Sequence, residues 1–353
     1  MIVVDAHQDI AYNKLAHGRD YLKPAWEKRQ LETPDETRRA GKAMLGLPDA
    51  MLGRVAVIFS TLFVAPRAKT PQPWDELTYT TPREAYELGL QQWDYYQRLA
   101  DESNRIRLIR TEADLDAVLA TWADGMETAD HQQGFVQLME NADPILEPRQ
   151  FEEWYQRGVR IVGPAWEATR YCGGTGYPGP LTPLGRELLE VMAGFNAILD
   201  LSHMAEQSFL ESLDRYEGVI IASHSNPRHF RNTDRHLSDM MIQRLAERDG
   251  VMGVVLFSKF LSDTWAIGDS IPLSVVLDAI DYICQLTGSA AHVGIGSDFD
   301  GGFGADSTPE GLDTVVDLWS IGTGLRARGY AEADISAILG GNMLRKLRQV
   351  LPK

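Results

Sequence analysis

Short apolar runs, many of them β-branched, alternate along this chain with longer stretches whose apolar residues recur at helical spacing. The runs are Ile2–Val4, Val55–Phe63, Phe135–Met139, Val159–Val162, Ala197–Leu201, Val219–Ala222, Val251–Leu256 and Val293–Gly296. Each reads as a strand that is apolar on both faces, which suits a parallel sheet covered on both sides. Between them Arg83–Asn104, Pro183–Phe195, Ala205–Tyr216, Ser238–Glu247 and Leu273–Leu286 read as helices. In the first of these, Leu88, Leu90, Trp93, Tyr96 and Leu99 carry the spacing. Eight such units predict a single (β/α)8 barrel, the TIM-barrel α/β fold, over residues 1–353. A doubly wound open sheet is the alternative, but no Gly-rich phosphate loop follows an early strand to favour it.

Four regions stand outside the alternation. Residues 18–50 are polar and helix-prone, and read as an insertion between the first two strands. Residues 64–82, with Pro66, Pro71, Pro73 and Pro82, read as a long loop. Ile106–Ile109 reads as an extra strand. Residues 311–353 read as two closing helices, the last beginning at Ala331–Ile335 and ending over Asn342–Val350.

Composition narrows the function. With 353 residues, 44% of them hydrophobic, the chain can bury a sizeable core. A net charge of −16 argues against a nucleic-acid or anionic-membrane partner, since nothing would neutralise phosphates. It leaves room for an anionic small substrate held by one buried Arg. Cys172 and Cys284 form neither a zinc-type pair nor a disulfide framework, which fits a reducing compartment. No basic segment with an apolar stretch opens the sequence, and no apolar run approaches membrane-spanning length. The expectation is a soluble cytoplasmic protein.

In such a barrel, chemistry sits where strands end. Those positions hold His7 and Asp9 after the first run, Glu140 after the third, His203 after the fifth, His224 after the sixth and Asp298 after the eighth. His7 and Asp9 are two apart, so in extended chain both point to one side. Imidazole nitrogen and carboxylate oxygen together suit a divalent metal, Zn²⁺ by default. The set exceeds what one catalytic zinc takes, so it reads as a binuclear site bridged by a carboxylate and a hydroxide. Glu140 is the bridge, His7 and Asp9 hold one ion, and His203 and His224 hold the other. Among the remaining histidines, His292 precedes its strand and reads as structural. His17 and His131 read as solvated, and His229 and His236 stay open.

These motifs resemble the renal (membrane) dipeptidases, the M19 family of metallopeptidases. The segment Asp5-Ala6-His7-Gln8-Asp9 is similar to that family's first-strand His-x-Asp signature. Glu140 matches its bridging Glu, and His203 and His224 its two later His ligands. Arg235, in Arg235-His236-Leu237-Ser238-Asp239, falls where the family holds the substrate carboxylate. Ser297-Asp298-Phe299-Asp300-Gly301 resembles the motif at strand eight, and Gly341-Asn342-Met343-Leu344-Arg345 the closing helix. The likeness runs from Val3 to Leu351. One position departs: after strand four the well-known dipeptidases carry a His at the scissile carbonyl, and this chain has Trp166. An indole N–H donates a hydrogen bond but shuttles no proton. Losing an oxyanion donor costs roughly 10²–10³ in rate.

The resemblance implies a zinc-dependent dipeptidase, with two divalent ions, a metal-bridging hydroxide and tolerance of a D-residue at the C-terminal side. Asp298 would be general base then acid, Arg235 the carboxylate clamp and Trp166 a substrate contact. Asp5 and Asp200 would orient ligand rings. A homodimer follows from the resemblance alone. The rivals are a binuclear amidohydrolase acting on another carboxylate-bearing amide, an N-acyl amino acid or a lactone, and a catalytically silent binding protein.

Overall fold

The computed structural model describes residues 1–68 and 77–353. The eight apolar runs form β1 (Val3–Gln8), β2 (Val55–Phe63), β3 (Gln133–Glu140), β4 (Val159–Gly163), β5 (Ile198–Asp200), β6 (Ile220–Ala222), β7 (Val251–Val254) and β8 (Val293–Ile295). All pair in parallel, in the order β2-β1-β8-β7-β6-β5-β4-β3, and β3 pairs back onto β2. Closure satisfies the backbone on both edges of every barrel strand. Every residue of these eight strands is buried except Phe63. That is why the runs carry no alternating polar face.

Strand boundaries differ from the apolar runs where function begins. β1 continues through the polar residues Asp5, His7 and Gln8, all fully buried, with Gln8 in register with Ser60 of β2. Ile106–Leu108 is the expected extra strand. It pairs with the first half of β3, and β4 pairs with the second half.

Several helices start on side-chain caps. Thr81 and Glu84 form a reciprocal capping box, with Pro82 at the first helical position of Pro82–Glu102. Thr182 and Ser238 cap Pro183–Gly194 and Asp239–Glu247. The closing helices are Trp319–Ala327 and a continuous run from Glu332 to Val350, with a π-helical segment at Ala337–Gly341.

Several expectations need correction. The long loop at 64–82 is not wholly irregular: Ala65–Pro66 pairs in parallel with Thr78–Tyr79. Residues 69–76, with Pro71 and Pro73, lie outside the described residues. A hairpin, Cys172–Gly174 with Tyr177–Leu181, follows β4 and had no apolar signature. His131 is not solvated; it is buried against Trp122, with ring centroids 4.0 Å apart. His17 is half-buried, and burial together with Arg19 and Arg39 lowers its pKa to about 4.

The 18–50 insertion forms three short helices, Ala25–Arg29, Pro34–Ala40 and Leu47–Leu52. It is a buttress for the loop after β8. Met44 N–H donates to Asp300 Oδ1 at 2.9 Å, and the buried Arg19 stands 3.5 Å from the same oxygen. Gly41, at φ 67°, lets the two segments touch; a Cβ there would lie 2.1 Å from the nitrogen of Gly304.

Candidate metal centre

The strand ends deliver His7, Asp9, Glu140, His203, His224 and Asp298 to one cluster. Glu140 lies at its middle. Its Oε2 is 3.3 Å from His7 Nε2, and its Oε1 is 3.3 Å from His203 Nε2 and 3.2 Å from His224 Nε2. His7 Nε2 also faces Asp9 Oδ2 at 3.7 Å and Asp298 Oδ1 at 3.8 Å. The rings of His7 and His224 stack at 3.6 Å.

Backbone conformation aims these groups. His203, Asp298 and Asp300 have positive φ, at 63°, 59° and 63°. Such left-handed residues cost free energy and persist where the surroundings hold them. Asp298 also needs Gly301 beside it, because a Cβ there would stand 2.0 Å from Asp298 Oδ1.

The outer atoms of the cluster are held by hydroxyls that sequence reading missed. Thr61 of β2 donates to Asp9 Oδ1, leaving Oδ2 to face His7. Thr175, in the hairpin, lies 3.0 Å from His203 Nδ1. Ser223 donates to Asp200 Oδ2 and stands 2.8 Å from His224 Nδ1. Since its own proton goes to the carboxylate, Ser223 accepts from Nδ1–H. His224 Nε2 then carries a lone pair toward Glu140. Asp200 thus reaches the His224 ring through Ser223, whereas Asp5 accepts no hydrogen bond from a ring among the described residues. Asp5 instead accepts from Ser297 N–H, at 2.8 Å, and from the Ser297 hydroxyl, tying β1 to β8.

The electrostatics fit a cation. Burial pushes the pKa of Glu140 up, and that of Asp298 well up, against the pull of a charged His7. Burial holds His203 and His224 well below the ordinary histidine value, so both are neutral, as metal ligands must be. Burial also opposes charge on His7, but Glu140 and Asp9 overcome it and raise its pKa well above the ordinary value. Neither His7 ring nitrogen has a hydrogen-bond partner among the described residues. Ring nitrogens of His7, His203 and His224 and carboxylate oxygens of Asp9, Glu140 and Asp298 thus converge, and an ion bound there would displace the proton that His7 holds. That donor set suits divalent metal, and two triads can hold an ion: His7, Glu140 and His224, and His7, Asp9 and Asp298.

The cluster floors a cleft of about 540 Å³, walled by Phe63 and Trp166 on one side and Phe257 and Phe260 on another. Arg235 is buried in it. Its Nη2 donates to the His224 carbonyl at 2.7 Å and its Nη1 to Ser225 Oγ at 3.3 Å, while Nε has no partner among the described residues. Trp166 stands beside His203, with ring centroids 6.3 Å apart. Of the two open histidines, His236 is buried on the edge of Phe260 and His229 stacks on Tyr282. His292 bonds Gly250 O at the opposite end of β8.

The sequence pattern of the membrane dipeptidases, Peptidase family M19, matches residues 1–351. The chain belongs to that family. It is therefore a metallo-dipeptidase-type hydrolase, and M19 membership implies a divalent metal. An uncharacterized Klebsiella pneumoniae protein from the pqqA 5′ region is 30% identical over 72% of this chain and 92% of its own length. Dipeptidase 3 of Rattus norvegicus is 25% identical over 77% of this chain, and the match spans 54% of that protein. Two solved structures share the fold at a TM-score of 0.80. One is an M19 metallo-peptidase called dipeptidase AC, 23% identical, with 100% of this chain and 99% of that one covered. The other is a metallo-peptidase from Rhodobacter sphaeroides, 22% identical, with 99% of both chains covered. No helix among the described residues is long and apolar enough to cross a membrane.

Proposed function

We propose that this M19 chain hydrolyses free dipeptides at a binuclear zinc centre held by His7, Asp9, Glu140, His203 and His224. The observation that carries the reading is the division of labour at Glu140, whose two oxygens face different partners: His7 on one side, His203 and His224 on the other. A carboxylate so placed suits a bridge between two ions. Bound there, divalent zinc supplies Lewis acidity, lowering the pKa of a water and polarising the scissile carbonyl.

The residues do the rest. Arg235 binds the substrate's C-terminal carboxylate through the N–H groups that the backbone leaves free. Asp298, beside His7, takes a proton from the attacking water and returns it to the leaving amine. Trp166 lines the scissile region, where its indole N–H is a neutral donor. A D-residue at the C-terminal side belongs to this reading, supported by the Rhodobacter sphaeroides relative, solved with a phosphinate mimic of L-Ala-D-Ala. The two unpaired cysteines support a reducing, cytoplasmic setting. Trp166 also favours a second reading, in which the same centre cleaves another carboxylate-bearing amide.

The test is hydrolysis of a dipeptide panel, including L-Ala-D-Ala, by zinc-loaded protein with a chelated control. Chelator-sensitive cleavage that is lost on amidating the C-terminus is the expected result. Metal-loaded protein that cleaves no dipeptide would move the assignment to another amide.

A further inference from the structure

Among the charged groups that line the cleft, one has no task in the reading above. Glu167 follows Trp166 in the loop after β4 and lines the same cleft as the metal cluster and Arg235. Its carboxylate has no hydrogen-bond or ion-pair partner among the described residues, and burial alone raises its pKa. It also stands outside the groups that converge as possible ligands. A partly desolvated carboxylate without a partner costs stability.

Its placement is built. Gly174 packs against the Glu167 carbonyl so closely that a Cβ there would lie 2.2 Å from the oxygen. Thr175 N–H donates to the Trp166 carbonyl at 3.0 Å, and Thr169 Oγ1 donates to the Pro164 carbonyl at 2.8 Å. The hairpin after β4 thus clamps the backbone that carries Trp166 and Glu167. Next to them, Phe63 and Trp166 meet edge to face at 5.2 Å and make an apolar wall. Besides the carboxylates of the metal cluster, the cleft carries a guanidinium from the loop after β6 and a carboxylate from the loop after β4.

We infer that Glu167, Trp166 and Phe63 form a subsite for a cationic side chain on the substrate's N-terminal residue, that of lysine or arginine. The inference rests on the dipeptidase reading. With the C-terminal carboxylate on Arg235, the N-terminal residue extends the other way. Its α-amino group is two bonds from the scissile carbonyl carbon, so it stays near the cluster and Asp298. A group that reaches Glu167 sits farther out, at the end of a side chain. A lysine stem packs its methylenes on the aromatic wall and carries its charge to the carboxylate. The indole face adds attraction for the same charge. The net charge of −16 draws such substrates from solution.

The experiment compares kcat/KM of the metal-loaded enzyme for lysyl-alanine and norleucyl-alanine, which share a four-carbon stem and differ in charge. The wild type should favour the lysyl substrate by about ten-fold, the size of one charge-assisted hydrogen bond. Glu167→Gln should remove most of that preference and leave the norleucyl value unchanged. Three results overturn the subsite: no lysyl preference in the wild type, a ratio unchanged in the variant, or an equal fall for both substrates, which would put Glu167 on the α-amino group or in a structural role. Cleavage of norleucyl-alanine alone would keep the dipeptidase reading while rejecting the subsite. Failure to cleave any dipeptide would reject both.

Discussion

Ser223 Oγ stands 2.8 Å from Nδ1 of His224 while its proton goes to Asp200. This relay sets the tautomer that leaves the His224 Nε2 lone pair free for a metal. Ser223→Ala should weaken metal affinity by about 10–100-fold, the usual cost of losing such a support. Competition with a chromogenic chelator checks it. Activity at saturating metal should recover most of the wild-type value. Unchanged affinity would mean that the stacked His7 ring alone orients His224.

Metal removal should cost stability as well as activity. Without an ion, Glu140 and three imidazoles are buried against one another with few donors between them. A ligand bound only by the folded state stabilises it by about 2.7 kcal/mol at a hundred times its Kd. Chelation should therefore lower Tm, and Glu140→Gln should abolish that difference, because an amide offers one acceptor oxygen in place of two. Calorimetry with and without chelator reads both.

Asp298→Asn should keep the metals and lose turnover. Removing a general base costs roughly 10²–10⁴ in rate. Metal analysis beside kcat makes the test. Near-wild-type turnover with full metal would remove Asp298 from the proton path.

Gly301→Ala should resemble that variant by moving the same carboxylate. The added methyl would meet Asp298 Oδ1 at 2.0 Å, so the side chain must turn away. The expected result is a fall in kcat with KM little changed and the fold intact by circular dichroism. Equal kcat would show that the turn relaxes around the methyl.

His236 supplies an acid-sensitive contribution to stability. Burial, with Arg235, Arg231 and Arg228 nearby, pushes its pKa down to about 3. The unfolded ring titrates near 6.5. The neutral folded ring therefore contributes fully above that pH. As pH falls from 6.5 toward 3, the unfolded chain binds a proton that the folded one refuses, and stability drops. Between pH 7 and 5 this one group accounts for about 2 kcal/mol. Urea midpoints at both pH values should show a smaller drop for His236→Gln than for the wild type.

The eight strands were legible because a strand buried on both faces must be apolar along its length, and that composition survives in the linear chain. The strand-end residues were legible for the complementary reason. Ionisable groups such as His7, Glu140 and Asp298 are expensive to bury, so their presence beside apolar runs signals chemistry. Other roles depended on neighbours far away in the chain. Thr61, Thr175 and Ser223 are common hydroxyl residues, and only the approach of Asp9, His203 and His224 gives each its task. His131 looked solvated until Trp122 covered it, and Asp5 looked like a partner for a ring until Ser297 claimed its oxygens. The insertion at 18–50 carried no sign that it supports the loop after β8, because Arg19 and Met44 meet Asp300 only once the barrel closes. Sequence by itself determined which groups are costly enough to need a purpose. Closure of β3 onto β2 decided which of them meet, since hydrogen bonds and charges act over a few ångströms in space, whatever the separation along the chain.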